Sequence, residues 1–158
     1  MKKLLYILMV VVLASCGTET SQVTDILGSA TGHFRGNSIG DKYKKVETQV
    51  AGDNVTLKNE GIIQCEFAVD QTEVLAIYEF DQGQLYSVQA DLFFPDSTTR
   101  TNFQSDLVSH YNQKYGQVNE DGGFLVWQEA GKVELTLADE SMEFGQPKLS
   151  ITIYNFDY

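Results

Sequence analysis

Val74-Leu75-Ala76-Ile77-Tyr78-Glu79-Phe80-Asp81-Gln82-Gly83-Gln84-Leu85-Tyr86-Ser87-Val88-Gln89-Ala90-Asp91-Leu92-Phe93-Phe94 is two runs of period-two character around a short loop. In the second run Tyr86, Val88, Ala90, Leu92 and Phe94 fall on one face, and Ser87, Gln89 and Asp91 on the other. Successive strand side chains point to opposite faces, so this alternation describes an antiparallel pair with one buried and one wet side. Asp81-Gln82-Gly83 supplies the connection, with a glycine free to take positive φ.

Similar runs lie on both sides. Upstream, Asn54–Asn59 and Ile62–Val69 flank Glu60-Gly61, and Ile63, Cys65, Phe67 and Val69 share a face. Downstream, the stretches beginning at Phe124, Lys132 and Lys148 predict three more strands, with Ala130-Gly131 turning between the first two. Val133, Leu135 and Leu137 mark one inward row, and Leu149, Ile151 and Ile153 another. Between the two groups, Ser97 to Tyr115 predicts a helix. Asp96, Ser97 or Thr98 caps its start, Gly116 ends it in a left-handed conformation, and Phe103, Leu107, Val108, Tyr111 and Tyr115 form its apolar stripe. A shorter helix is expected over Asp41 to Gln49, with Tyr43 and Val46 on one side and Lys42, Lys44 and Lys45 facing outward.

The sum is an α+β domain: a twisted antiparallel sheet of about six to seven strands with two helices packed on one face. A helix followed by a meander occurs twice, which suggests a weak internal duplication. The opposite sheet face is then wet, or is a binding surface.

The chain begins Met1-Lys2-Lys3, continues with an apolar run from Leu4 to Leu13, and then has Ala14, Ser15 and Cys16. A positive start, an apolar core and small residues before a cut make a signal peptide. The ten-residue run is shorter than the roughly 20 residues a spanning helix requires. Leu13-Ala14-Ser15-Cys16 resembles the bacterial lipobox. The resemblance implies cleavage before Cys16 and acylation of its thiol and new amine, so the chain contacts a membrane through lipid. Gly17 in place of aspartate favours the outer membrane over the inner. The domain plan is a signal peptide over 1–15, a lipidated flexible tether over 16–30, and one domain over 31–158.

Removing residues 1–15 takes away two lysines and no acid, moving the net charge from −11 to −13. So acidic a domain lacks the basic stripe that nucleic acid demands and is repelled by anionic head groups. Roughly 140 residues remain, enough to bury a core without staples. With Cys16 acylated, Cys65 has no disulfide partner in the chain.

Phe34-Arg35-Gly36-Asn37-Ser38-Ile39-Gly40-Asp41-Lys42-Tyr43-Lys44-Lys45-Val46 has the form G-x-x-x-G-D-x-x-x-x-V entering a helix. It resembles the start of BamE-type envelope lipoproteins and of the related β-lactamase-inhibitor-like domains, in which a glycine opens a short helix packed on an antiparallel sheet. Val50-Ala51-Gly52-Asp53 stands where those families close the helix with leucine-glycine-x-proline.

No catalytic constellation is present. Cys65 is inward on its strand, and the only histidines are His33, in a glycine-flanked loop, and His110, on the long helix. Two histidines without ligand spacing do not make a zinc site. Asn119-Glu120-Asp121-Gly122-Gly123 lacks the alternating carboxylates of a calcium loop and is expected to be a solvated turn. No cofactor is expected. The candidate binding residues are aromatic: Trp127, Tyr86, Tyr78 and Tyr154, which either form an exposed patch centred on Trp127 or pack in the core under a helix, while Tyr154–Tyr158 either offers an edge to a partner's strand or pairs within the sheet. The function expected is that of a non-enzymatic binding or accessory domain in the cell envelope, with an envelope protein or a small ligand as partner. The alternative is a small envelope enzyme or inhibitor with a loop-built site.

Overall fold

The computed structural model describes residues 22–28, 31–129 and 132–156. The lipobox expected at Leu13–Cys16, the turn expected at Ala130-Gly131 and the last two residues lie outside them.

Within the described residues, eight strands form one antiparallel sheet accompanied by four helices. In chain order these are α1 (Gln22–Leu27), α2 (Tyr43–Gln49), β1 (Asn54–Asn59), β2 (Ile62–Val69), β3 (Thr72–Asp81), β4 (Gln84–Phe93), α3 (Ser97–Tyr115), β5 (Asn119–Asp121), β6 (Phe124–Glu129), β7 (Val133–Asp139), α4 (Ser141–Phe144) and β8 (Lys148–Asn155). Across the sheet the order is β1-β2-β3-β4-β8-β7-β6-β5. Each half is thus a helix followed by a four-stranded meander, and the halves meet where β4 pairs with β8.

The core lies on one side of the sheet. Tyr78 pairs across to Val88, and Val88 to Ile153, which stands opposite Leu135. All four are buried. α1, α2 and α3 add Val23, Ile26, Val46, Phe103 and Leu107 to this cluster. Alternate inward side chains need a cover, and the amphipathic helices supply it.

Several expectations are corrected. Asn119-Glu120-Asp121 is not a loop: it pairs with Val126-Leu125-Phe124 as edge strand β5, and the turn is Gly122-Gly123 alone. The segment assigned to the tether contains α1, whose Val23, Ile26 and Leu27 are buried. The folded part therefore includes Gln22, well before residue 31. Valine, isoleucine and leucine at i, i+3 and i+4 put three apolar groups on one helical face, and Gly28 closes the turn at φ 74°. A Cβ at Gly28 would sit 2.9 Å from Arg35 Cα, so the chain returns too closely there for a side chain. β8 lies in the middle of the sheet, which leaves β1 and β5 at the edges.

The β3–β4 connection is tighter than a three-residue loop. Gln82 and Gly83 have φ of 48° and 76°, a two-residue turn whose twist matches that of the paired strands. Just past it the register shifts: Glu79 stands opposite Ser87, and Phe80 opposite Leu85. This bulge leaves Tyr86 as the extra residue and removes it from the inward row. α3 spans the residues expected. Asp96 caps it by accepting the Thr99 N–H at 2.8 Å. Gly116 ends it with φ 93° and ψ −172°, so its φ is positive but its ψ is extended.

Candidate functional site

The eight strands carry two faces, and α1, α2 and α3 bury their apolar residues against one of them. On the other, register fixes the neighbours. Gln64, Ile77, Gln89, Thr152, Thr136 and Val126 run across six strands in one row. A second row, parallel to it, runs Ile62, Glu79, Ser87, Tyr154, Glu134 and Gln128. Ile62, Leu75, Ile77, Phe93, Val126 and Ala138 are half-buried there. Among the described residues only Phe144 of α4 reaches over one corner of this face, which is broad and mixed in polarity.

Its polar groups are tied to each other. The Tyr154 hydroxyl donates to Glu134 Oε1, and Gln128 Nε2 donates to Glu134 Oε2 at 3.0 Å. The bond to Glu134 and partial burial raise the Tyr154 hydroxyl's pKa. Ser150 Oγ donates to Asp91 Oδ1 at 3.0 Å. Lys148 is nearly enclosed: its Nζ lies 3.2 Å from Asp91 and 2.7 Å from Glu140, under the Phe144 ring at 3.6 Å from the centroid. Burial would lower its pKa, but the two carboxylates outweigh that and hold the ammonium above its usual range. Glu66, Glu73, Glu79, Asp91 and Glu134 share the face with Lys148, giving it a negative balance.

The four aromatic candidates divide between the faces. Tyr154 and Tyr86 are on the open side, where Tyr86 stands beside Glu79. Partial burial and that carboxylate raise the Tyr86 pKa. Trp127 and Tyr78 are on the covered side and present no surface to a ligand. Trp127 is 1% exposed, meets the Tyr111 ring edge-on at 5.2 Å and donates its Nε1–H to Asn112 Oδ1 at 2.9 Å. Tyr78 is fully buried near Phe34, and burial pushes its hydroxyl pKa well up. Strand parity assigns Trp127 the same face as Leu125 and Glu129, but it does not tell which face the helices cover.

Cys65 is buried with Asp53 and Arg35 as its polar neighbours, not a histidine. Burial and the Asp53 charge push its thiol up to about 12, so it holds its proton. Arg35 pairs with Asp53 at 2.9 Å and lies over the Phe67 ring. His33 is locked from both sides. Nδ1 accepts the Ile39 N–H at 3.0 Å, which leaves the proton on Nε2 to be donated to Glu129 Oε2 at 2.5 Å. Lys114 reaches the Gly32 carbonyl beside it. This clasp ties the loop before α2 to β6 and the end of α3. Its partners are 96 residues apart, so no sequence spacing announces it. His110 is half-exposed on α3, where burial and the nearby Lys114 lower its pKa.

Two open surface depressions among the described residues are lined by neither histidine: one lies between Tyr43, Lys58 and Gly83, another between Glu66, Leu75 and Phe93. Among the described residues no group of three His, Cys, Asp or Glu is placed to hold a metal ion. No described helix is long and apolar enough to cross a membrane. Comparison with family models, with curated proteins and with solved structures finds no match to this chain.

Proposed function

We propose that the chain is a lipoprotein anchored through acylated Cys16 in the bacterial cell envelope, on the outer rather than the inner membrane, and that it binds a partner protein on its uncovered sheet face. The observation that carries this reading is the face itself. Half-buried Ile62, Leu75, Ile77 and Val126 alternate there with amides, hydroxyls and carboxylates. A face with apolar anchors inside a hydrogen-bonding surround is suited to a protein contact. Its negative balance selects a partner with basic side chains at the rim. The resemblance of residues 34–46 to envelope domains that pack a short helix on an antiparallel sheet supports the same reading. The role is one of binding, with no chemical step.

The test is a mild-detergent pull-down of the full lipidated protein from its own envelope, run beside a Thr136→Arg/Thr152→Arg variant. Both threonines lie in the middle row of the open face, away from the core. The expected result is a near-stoichiometric partner with the native chain and at least a tenfold loss with the variant. No partner above background, or equal recovery by both, overturns the reading.

A further inference from the structure

Strand direction sorts the molecule into two ends. One end collects the β2–β3 turn, the start of α3, the β5–β6 turn and α4 with the start of β8. The other collects the β1–β2 and β3–β4 turns. α1 begins at the first end, where Gln22 Nε2 donates to Thr72 Oγ1 at 2.9 Å. Large apolar side chains protrude at the same end: Met142 is 99% exposed, Phe144 51% and Phe124 47%. α4 follows β7 and precedes β8, which is β4's neighbour in the sheet. At about 4.8 Å per strand step, Met142 and Phe144 are therefore only a few strand spacings from the chain's entry.

We propose that this end faces the membrane and that Met142 and Phe144 of α4 dip into the lipid interface. The proposal rests on lipidation at Cys16. Five residues, and so six chain steps, separate Cys16 from Gln22, and a fully extended chain gives at most about 3.5 Å for each step. The anchor thus holds the end carrying Gln22 within ~20 Å of the bilayer. Phenylalanine and methionine are side chains that an interface accepts, so groups held at that height are placed to enter it. Lys148 and Arg100 pair with Glu140 and Asp139 beside α4, muting two of the acids nearest the surface. Asp70, Asp96, Asp121 and Glu143 remain exposed at this end, so the lipid it tolerates is zwitterionic rather than anionic.

The experiment uses the full lipidated chain on phosphatidylcholine vesicles. Met142→Cys and Gln82→Cys are each labelled with an environment-sensitive fluorophore, and quenching by nitroxide-bearing lipid is compared. Cys65 is buried and stays unlabelled. The expected result is several-fold stronger quenching at position 142 than at position 82, reduced when anionic lipid is mixed in. Equal, weak quenching with the protein on the vesicles overturns the orientation and leaves the anchor standing. Failure to float with the vesicles overturns the anchor and the proposal together. Shielding of position 142 only after solubilised envelope proteins are added makes the patch a protein contact, which also overturns it.

Discussion

Asn112 is a small residue on which two donors depend. Its Oδ1 accepts the Trp127 indole N–H at 2.9 Å and the Val118 backbone N–H at 3.0 Å. Asn112→Ala orphans both, and a buried donor left unpaired costs about 1–3 kcal/mol. The expected outcome is a clear fall in the urea midpoint, followed through the emission of the chain's single tryptophan, with Asn112→Asp recovering most of the loss. His110 governs a second response. Its folded pKa lies below 6.5 because burial and Lys114 disfavour the imidazolium, so the unfolded chain takes up the proton first. Stability is then greatest above pH 6.5 and declines as pH falls through that value. His110→Gln is expected to flatten this part of a stability–pH curve. The later decline, below about pH 4, persists, because the backbone of Thr99 holds the Asp96 carboxyl below its usual 3.8. Of the aromatic candidates, residue type drew notice to Trp127, but packing on α3 decided its place. Tyr86 turned outward because a bulge, invisible in a regular alternation, inserts one residue.

Elements that repeat a period are legible in the sequence, and short polar ones are not. β2, β3, β4, β7 and β8 carry alternating apolar rows, and α3 carries a nineteen-residue stripe with a cap. β5 is Asn-Glu-Asp, residue types that strands disfavour, and it forms only because β6 offers an edge and Gly122-Gly123 a tight return. α1 has under two turns, and its polar neighbours dilute the spacing of Val23, Ile26 and Leu27. Those three side chains nonetheless weigh heavily. Each buries for about 1.5–3 kcal/mol, so together they approach the 5–15 kcal/mol by which a domain is stable at all. A chain beginning at residue 31 is expected to melt far lower than one beginning at residue 17, or to fail to fold, as circular dichroism with temperature will show.

At the scale of the whole molecule, helix-on-sheet architecture was readable, but the strand order was not. The sequence leaves Tyr154–Tyr158 open between a terminal edge and a strand paired within the sheet; β8 fills the centre, because pairing between β4 and β8 depends on contacts far apart in the chain. Which face lay open was equally illegible: alternation names two faces and leaves the helices to choose. The anchoring reading is tested at this scale by Cys16→Ala. The variant is expected to lose membrane attachment or to stall unprocessed, as fractionation and mass will show, and continued cleavage with full retention would sink it.

The strand order also dictates when the protein becomes complete. Each hairpin closes over a few residues and pays little chain entropy, whereas Ala90 meets Ile151 only after sixty intervening residues have been placed. The two meanders are therefore fast, local products, and their union is the slow event. Until β8 arrives, β4 stands with one side bare, ten residues long and rich in apolar groups. A bare strand of that kind recruits any strand it meets. A chain cut short before Lys148 is thus sticky as well as weak, and the first half of a growing chain needs shelter until the last strand has emerged.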